Sequence, residues 1–216
     1  IRGLIAALLL GPVLTLAPPA HAAGGGLPGY AGSKSCKECH PALWKQWSMT
    51  PHARMLRDVK EHPDAIAAEK FSPEIPFRKK DITFTIGSHW LQKYLTTIDG
   101  EFYVLPKYWS FTKGDWEPYS IFNWRNKPYS LNCYGCHTVG FDPVSKTMAE
   151  DSIGCEACHG PGKKHVGSQE PADIVNPAKL EKRLADNICE ACHTDGNDLA
   201  DGAFPFAAGF QPGQPI

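Results

Sequence analysis

Every cysteine in the sequence belongs to a C-x-x-C-H motif, and that regularity constrains the chain more than any other feature. The eight Cys fall into Cys36-Lys-Glu-Cys39-His40, Cys133-Tyr-Gly-Cys136-His137, Cys155-Glu-Ala-Cys158-His159 and Cys189-Glu-Ala-Cys192-His193. No thiol is left over. Two thiols three positions apart can each add across a vinyl group of one haem, and the adjacent His is then placed to ligate its iron. The pattern is the attachment signature of c-type haem. Disulfides are common in exported chains, but they give no reason for a His directly after every second Cys. Zinc sites combine two such pairs per metal or add spaced His, and a thioredoxin-like redox pair needs a βαβ context that is missing. Four covalently attached c-type haems are therefore expected on Cys36, Cys39, Cys133, Cys136, Cys155, Cys158, Cys189 and Cys192. His40, His137, His159 and His193 are the expected first axial ligands.

The remaining histidines set the next question. Of nine His, four lie in the motifs and His21 lies in an N-terminal leader. His52, His62, His89 and His165 remain, as many as the haems that need a second ligand. Axial Met raises the potential, but only three Met are present, so two His per iron are favoured, giving the lower potentials of a respiratory wire. His165 follows His159 across Gly160-Pro161-Gly162 and would have to round the haem edge to reach the opposite face of the same haem. His52 stands in a similar relation to His40. Both are expected to serve haems other than the one attached next to them. His89, beside Trp90, reads almost as readily as a buried hydrogen-bonded side chain as a ligand. His62, in Lys60-Glu-His-Pro-Asp64, reads more readily as a solvated side chain. One haem is then left open, or is completed by a His from another chain.

The chain has 216 residues and a formal charge of -1, so no basic excess points to nucleic acid. Arg2, the apolar run from Gly3 to Ala17 and the A-x-A site at Ala20-His21-Ala22 read as a signal peptide over residues 1–22; an uncleaved anchor is the competing reading. Residues 23–216 are expected to form one tetrahaem domain, exported to the periplasm or beyond. Its C-terminal Gln211–Ile216 stretch reads as a frayed tail or a truncation. Loss of Arg2 and the haem propionates make the mature protein more acidic than its composition. A basic docking surface on the partner is expected.

With 20 Gly and 19 Pro, the expected fold is mostly α and irregular, organised around the haems, with a small β-hairpin insertion around residues 81–105. Helices are expected from Pro41 to about Trp47, over Ala53–Lys60, and before the last motif, where Leu180, Leu184 and Ile188 recur at helical spacing. The hairpin rests on the alternation of Ile82, Phe84 and Ile86 and on the Asp99-Gly100 turn signal. The aromatic-rich stretch between the first and second motifs carries Trp90, Trp109, Trp116 and Trp124. The macrocycles are expected to supply much of the core.

From Tyr30 to Ala53 the sequence resembles the opening of the multihaem cytochromes related to the tetrahaem electron acceptor of hydroxylamine oxidoreductase. That pattern has C-x-x-C-H-P, a Trp and Ser-Pro-His-Ala; Cys36 to Pro41, Trp47 and Thr50-Pro51-His52-Ala53 match, with Thr for Ser. Leu105-Pro-Lys-Tyr-Trp109, Asn132 to Thr138 with Gly140-Phe141, and Gly154 to Gly162 leading to His165 match as well. The resemblance implies that His52 and His165 are distal ligands and leaves His62 and His89 open. Relatives continue past a segment like Phe206 to Gly213 into further haem motifs. Tetrahaem subunits that polymerise into extracellular wires also look similar, and there a His can cross between subunits.

The function expected is electron transfer with redox partner proteins, mainly other cytochromes, with a homopolymer through an intersubunit haem ligand as a further expectation. The competing reading is reduction of a small nitrogen or sulfur compound at a five-coordinate haem.

Overall fold

The computed structural model describes residues 27–119, 122–142, 144–145, 147–194 and 204–216. The expected signal peptide lies outside them. Helices α1 (Ser33–Cys36) and α2 (Pro41–Ser48) lead into strands β1 (Leu56–Asp58), β2 (Phe84–Ile86), β3 (Leu91–Ile98), β4 (Glu101–Val104), β5 (Lys107–Ser110) and β6 (Asp115–Pro118). Then come α3 (Tyr129–Asn132), α4 (Tyr134–His137), β7 (Thr138–Val139), β8 (Glu150–Asp151), α5 (Glu156–His159), α6 (Lys163–Ser168) and α7 (Lys182–His193).

The expectation of a mostly α and irregular fold is not met. Strands β1 to β6 form one antiparallel sheet in the order β1-β2-β3-β5-β6, with β4 also on β3. The fold is mixed α/β, and the expected hairpin is only its centre: β3 and β4 pair around Asp99-Gly100, both at positive φ, as a tight hairpin turn requires. Three physical reasons hid the rest. Strand β2 is buried at all three positions, so it shows no in-out alternation. Strand β1 is only three residues long, where a helix was expected over Ala53–Lys60. The return from β4 to β5 is broken at Leu105-Pro106, where the register against β3 slips; Pro cannot donate to the ladder and is tolerated there. Beyond it, Trp109 faces Trp116 across the β5–β6 pair, a cross-strand aromatic contact that stabilises short strands.

The sheet has an apolar cluster on each side. Leu56, Phe84, Ile86, Leu95, Phe102 and Val104 pack with Tyr129 and Tyr134 of the second C-x-x-C-H region. Ala68, Ile75, Phe77, Ile82, Tyr94, Leu105 and Trp109 form the other cluster. Period-two alternation explains the split: Leu95 and Tyr94, or Val104 and Leu105, are neighbours in sequence and face opposite ways. A protein-only core therefore exists beside the attachment motifs. Helix α7 takes up Leu184 and Ile188 of the expected spacing and ends on His193, while Leu180 lies before it, at the end of the 3-10 turn Pro177–Lys179.

Candidate haem sites

Three of the four motifs end a helix on their His. His137 closes α4, His159 closes α5 and His193 closes α7. A turn of helix brings positions i, i+3 and i+4 onto one face, so both thiols and the imidazole of each motif point the same way. In the first motif, Cys36 ends α1 and His40 caps the N-terminus of α2. All eight thiols are free, and none belongs to a fully buried residue, although Cys133 is largely enclosed. That is unusual for Cys, which ordinarily sits inside as a small hydrophobe, and it leaves the sulfurs accessible for attachment. Among the described residues no group of three or more His, Cys, Asp and Glu is gathered as a metal site.

Two pairs of motifs touch through their thiols. The hydrogen bond between Cys36 and Cys155 pulls the Cys155 thiol down to about 6 and pushes Cys36 up. The Cys136–Cys192 contact lowers Cys136 and raises Cys192. The first motif thus abuts the third, and the second abuts the fourth. Cys133 is pushed up to about 12 by burial.

The imidazoles pair across the chain. His40 and His165 have ring centroids 6.3 Å apart with planes 14° apart, and His52 and His193 have centroids 6.2 Å apart. Two metal–imidazole bonds of about 2 Å each, plus the distance from each ligating nitrogen to its ring centre, require roughly 6 Å. The spacing fits an iron held between each pair.

Local structure explains how each second histidine is presented. Thr50 donates to Trp47 O at 2.7 Å and accepts from Ala53 N at 3.3 Å. It closes the 3-10 turn His52–Arg54 that carries His52, which gives Thr-Pro-His-Ala a physical meaning. Trp47 Nε1 and the His52 carbonyl both bond Ile153, just before the third motif. His165 lies on α6, where its Nδ1 meets Glu170 O at 2.9 Å, and Lys164 pairs with Asp173 across the same loop. His159 Nδ1 meets Val175 O at 2.8 Å, and His137 Nδ1 meets Tyr129 Oη at 2.9 Å. A histidine tied at Nδ1 turns Nε2 outward, the usual preparation of a metal ligand. Burial, with Lys93 nearby, depresses His137 to about 4, so its ring is neutral.

His62 and His89 are placed differently. Both are exposed. His62 sits on a turn after β1, its N–H on Asp58 O, and His89 packs against the exposed Trp90 between β2 and β3. Among the described residues neither forms a ring pair with His137 or His159. The buried alternative for His89 is not what the structure shows.

Sequence reasoning missed the acids that join the motifs. Glu156, inside the third motif, is buried and accepts from Ala31 N at 2.9 Å, Gly32 N at 2.7 Å and Gly162 N at 2.6 Å. Glu150 accepts from Ser33 N and Ser33 Oγ, and that hydroxyl accepts from Cys155 N. Burial raises the Glu150 carboxyl. The first motif is thereby tied to the third by charge-assisted bonds. Tyr129 was missed too; its only sequence signal is an aromatic residue just upstream of Cys133.

Comparison with known proteins agrees with this geometry. The family described as cytochrome c554 and c-prime matches residues 35–89 and 121–160, which take in the first three motifs, His52, His62 and His89. Cytochrome c-554 of Nitrosomonas europaea is 23% identical over 76% of this chain and 57% of its own length. The outer cell wall cytochrome OcwA superposes with a TM-score of 0.73 and 26% identity over 86% of this chain. The chain is a multihaem c-type cytochrome. Its haem is covalently bound and carries iron. The cytochrome also shares its fold with an undecahaem cytochrome from the S-layer of Carboxydothermus ferrireducens, at a TM-score of 0.56 and 24% identity over 76% of this chain. It spans little more than half of the Nitrosomonas europaea relative, 43% of OcwA and 25% of the S-layer cytochrome. No described helix is long and apolar enough to cross a membrane.

Proposed function

We propose that this cytochrome carries four haems and passes electrons in a respiratory or extracellular chain outside the cytoplasm, with other cytochromes as its partners. The observation that carries the reading is the pairing of His40 with His165 and of His193 with His52 at iron-spanning distance. When bound, haem supplies one-electron ferric–ferrous cycling. The chain's own work would be to hold two of the irons between paired imidazoles, which would close them to substrates and suit them to electron passage. In this assignment the thiols of the four motifs hold the haems, His40, His137, His159 and His193 are proximal ligands, and His165 and His52 are distal ligands. Each distal residue serves a motif remote in sequence, so the ligands also bind distant segments together. The thiol contacts between the first and third motifs and between the second and fourth support close approach of their haems.

The test is a haem count by mass together with a spin-state measurement by magnetic circular dichroism. Four haems, at least two of them low-spin, are expected. Fewer than four attached haems overturns the tetrahaem reading, and a fully high-spin spectrum overturns the ligand pairs.

A second reading rests on the two histidines left over. His137 and His159 have no imidazole opposite them among the described residues. An open haem there would suit reduction of a small nitrogen or sulfur compound, and a high-spin signal that shifts on adding nitrite or nitric oxide is its expected mark. The alternative completion is a histidine from another copy, with exposed His62 and His89 as the donors in a homopolymer. Filaments lost in His62→Ala or His89→Ala support that role; unaffected assembly rejects it.

A further inference from the structure

The three Nδ1 contacts seen among the histidines are not chemically equal. His159 and His165 each meet a backbone carbonyl, Val175 O and Glu170 O. His137 meets a phenol, Tyr129 Oη, at 2.9 Å. We propose that Tyr129 is the positioning residue for His137 and that its hydroxyl sets the potential of the haem on Cys133 and Cys136 apart from that on Cys155 and Cys158. The inference rests on the proposal that the second motif carries a haem with His137 as its ligand.

The geometry leaves Tyr129 no freedom. Its side chain is fully buried, with its ring edge-on to Tyr134 at 5.1 Å between centroids. Helix α3, on which it stands, is pinned to the sheet: Ser130 Oγ donates to Glu101 Oε2 at 2.6 Å, and Pro128 bridges to Tyr103. Strand β4 therefore fixes the phenol, and the phenol fixes the imidazole plane. Only one protonation pattern is compatible with ligation. With Nε2 given to iron, Nδ1 of His137 would carry the proton and would donate it to Tyr129 Oη.

The consequence for potential follows from acceptor strength. An acceptor at Nδ1–H makes the imidazole a stronger donor to iron, which favours the ferric state. An amide carbonyl oxygen is more negative than a neutral phenol oxygen, so Val175 O does more for His159 than Tyr129 does for His137. The haem of the second motif should accept an electron more readily than that of the third. Removing the phenol oxygen should move it further in the same direction.

The experiment is a spectroelectrochemical titration of the full holoprotein, with the haem methyl resonances assigning each potential. Tyr129→Phe is expected to shift the potential of one haem upward and leave the others in place. Phe141→Leu, which alters the packing around Tyr134 without touching the Tyr129 hydroxyl, is the packing control and is expected to shift none. Equal shifts in both variants, or no shift in Tyr129→Phe, overturn the proposal. If Tyr129→Phe does not accumulate, 3-fluorotyrosine placed at 129 keeps the ring and weakens the oxygen as an acceptor; an upward shift supports the role and an unchanged potential rejects it. Replacing Cys133 and Cys136 by Ala separates the two layers, because a haem count unchanged in that variant means that the underlying haem assignment has failed.

Discussion

The imidazole of His165 lies almost parallel to that of His40, with 6.3 Å between ring centroids. Nothing links these residues locally: one caps the start of α2, the other sits on α6 and is held by Glu170 O. On the proposed assignment, an iron between them would make His165 a ligand whose loss opens a single haem. His165→Ala is expected to convert one haem from low-spin to high-spin and to give the ferrous protein about one new carbon monoxide site. Magnetic circular dichroism and gas titration read both effects, and an unchanged spin state removes His165 from the ligand set.

His52→Ala should do the same for the haem of His193, whose ring lies 6.2 Å away. The two ligand pairs share no residue, so the double variant is expected to show the sum of the two single changes. A double variant no different from either single one would mean that both histidines act on one haem.

Glu156 accepts three backbone N–H groups from two separate segments and is only 2% exposed. Glu156→Ala strands all three donors in a buried place, where each unmet polar group is costly. A loss of about 3 kcal/mol is expected in denaturant unfolding, since breaking a buried charged network ordinarily costs that much. Glu156→Gln keeps one acceptor but turns an amide donor toward backbone donors, so it should fall between the two. Equal stability of all three forms would show that the clamp is dispensable.

The fate of that glutamate shows where sequence reading stops. Residues 155–159 and 189–193 are the same pentapeptide, Cys-Glu-Ala-Cys-His. Glu156 is buried under Ala31, Gly32 and Gly162, while Glu190 is exposed. Attachment chemistry needs contiguous residues and is legible for that reason. The partner of a side chain depends on segments brought in from far along the chain. Elimination left four histidines, and the family resemblance pointed to His52 and His165 among them, but not to the motifs they face. The sheet escaped notice for a related reason, because Phe84-Thr85-Ile86 is buried on both faces and Leu56-Arg57-Asp58 is too short to show a period.

Gly135, inside the second motif, has a packing reason to be glycine. A Cβ there would stand 2.0 Å from Cδ2 of Phe206, a ring that is itself 4% exposed. Phe206 also packs against Phe141 and Phe204, so it cannot swing clear without disturbing that cluster. Gly135→Ala is expected to cost about 1–3 kcal/mol through overpacking. Combining it with Phe206→Ala should cost less than the sum of the two single changes. Additive losses in the unfolding midpoints would place the strain elsewhere.

Asp151, on β8, gives the fold a pH dependence. Burial, with Asp58, Glu61 and Glu150 adding to it, lifts its carboxyl to about 7, and its Oδ1 has no hydrogen-bond partner. The unfolded chain titrates this group near 3.8. Between those values the folded protein holds a proton that the unfolded chain has released. Stability therefore falls as pH rises through that window and levels off above about 7. Asp151→Asn removes the titration and keeps the shape, so its stability should exceed that of the parent at pH 8 and converge with it near pH 4, at values on the order of one unit beyond or at the ends of the window. Chemical denaturation across that range measures the difference, and parallel curves for the two proteins would mean that Asp151 is ionised in the folded state after all.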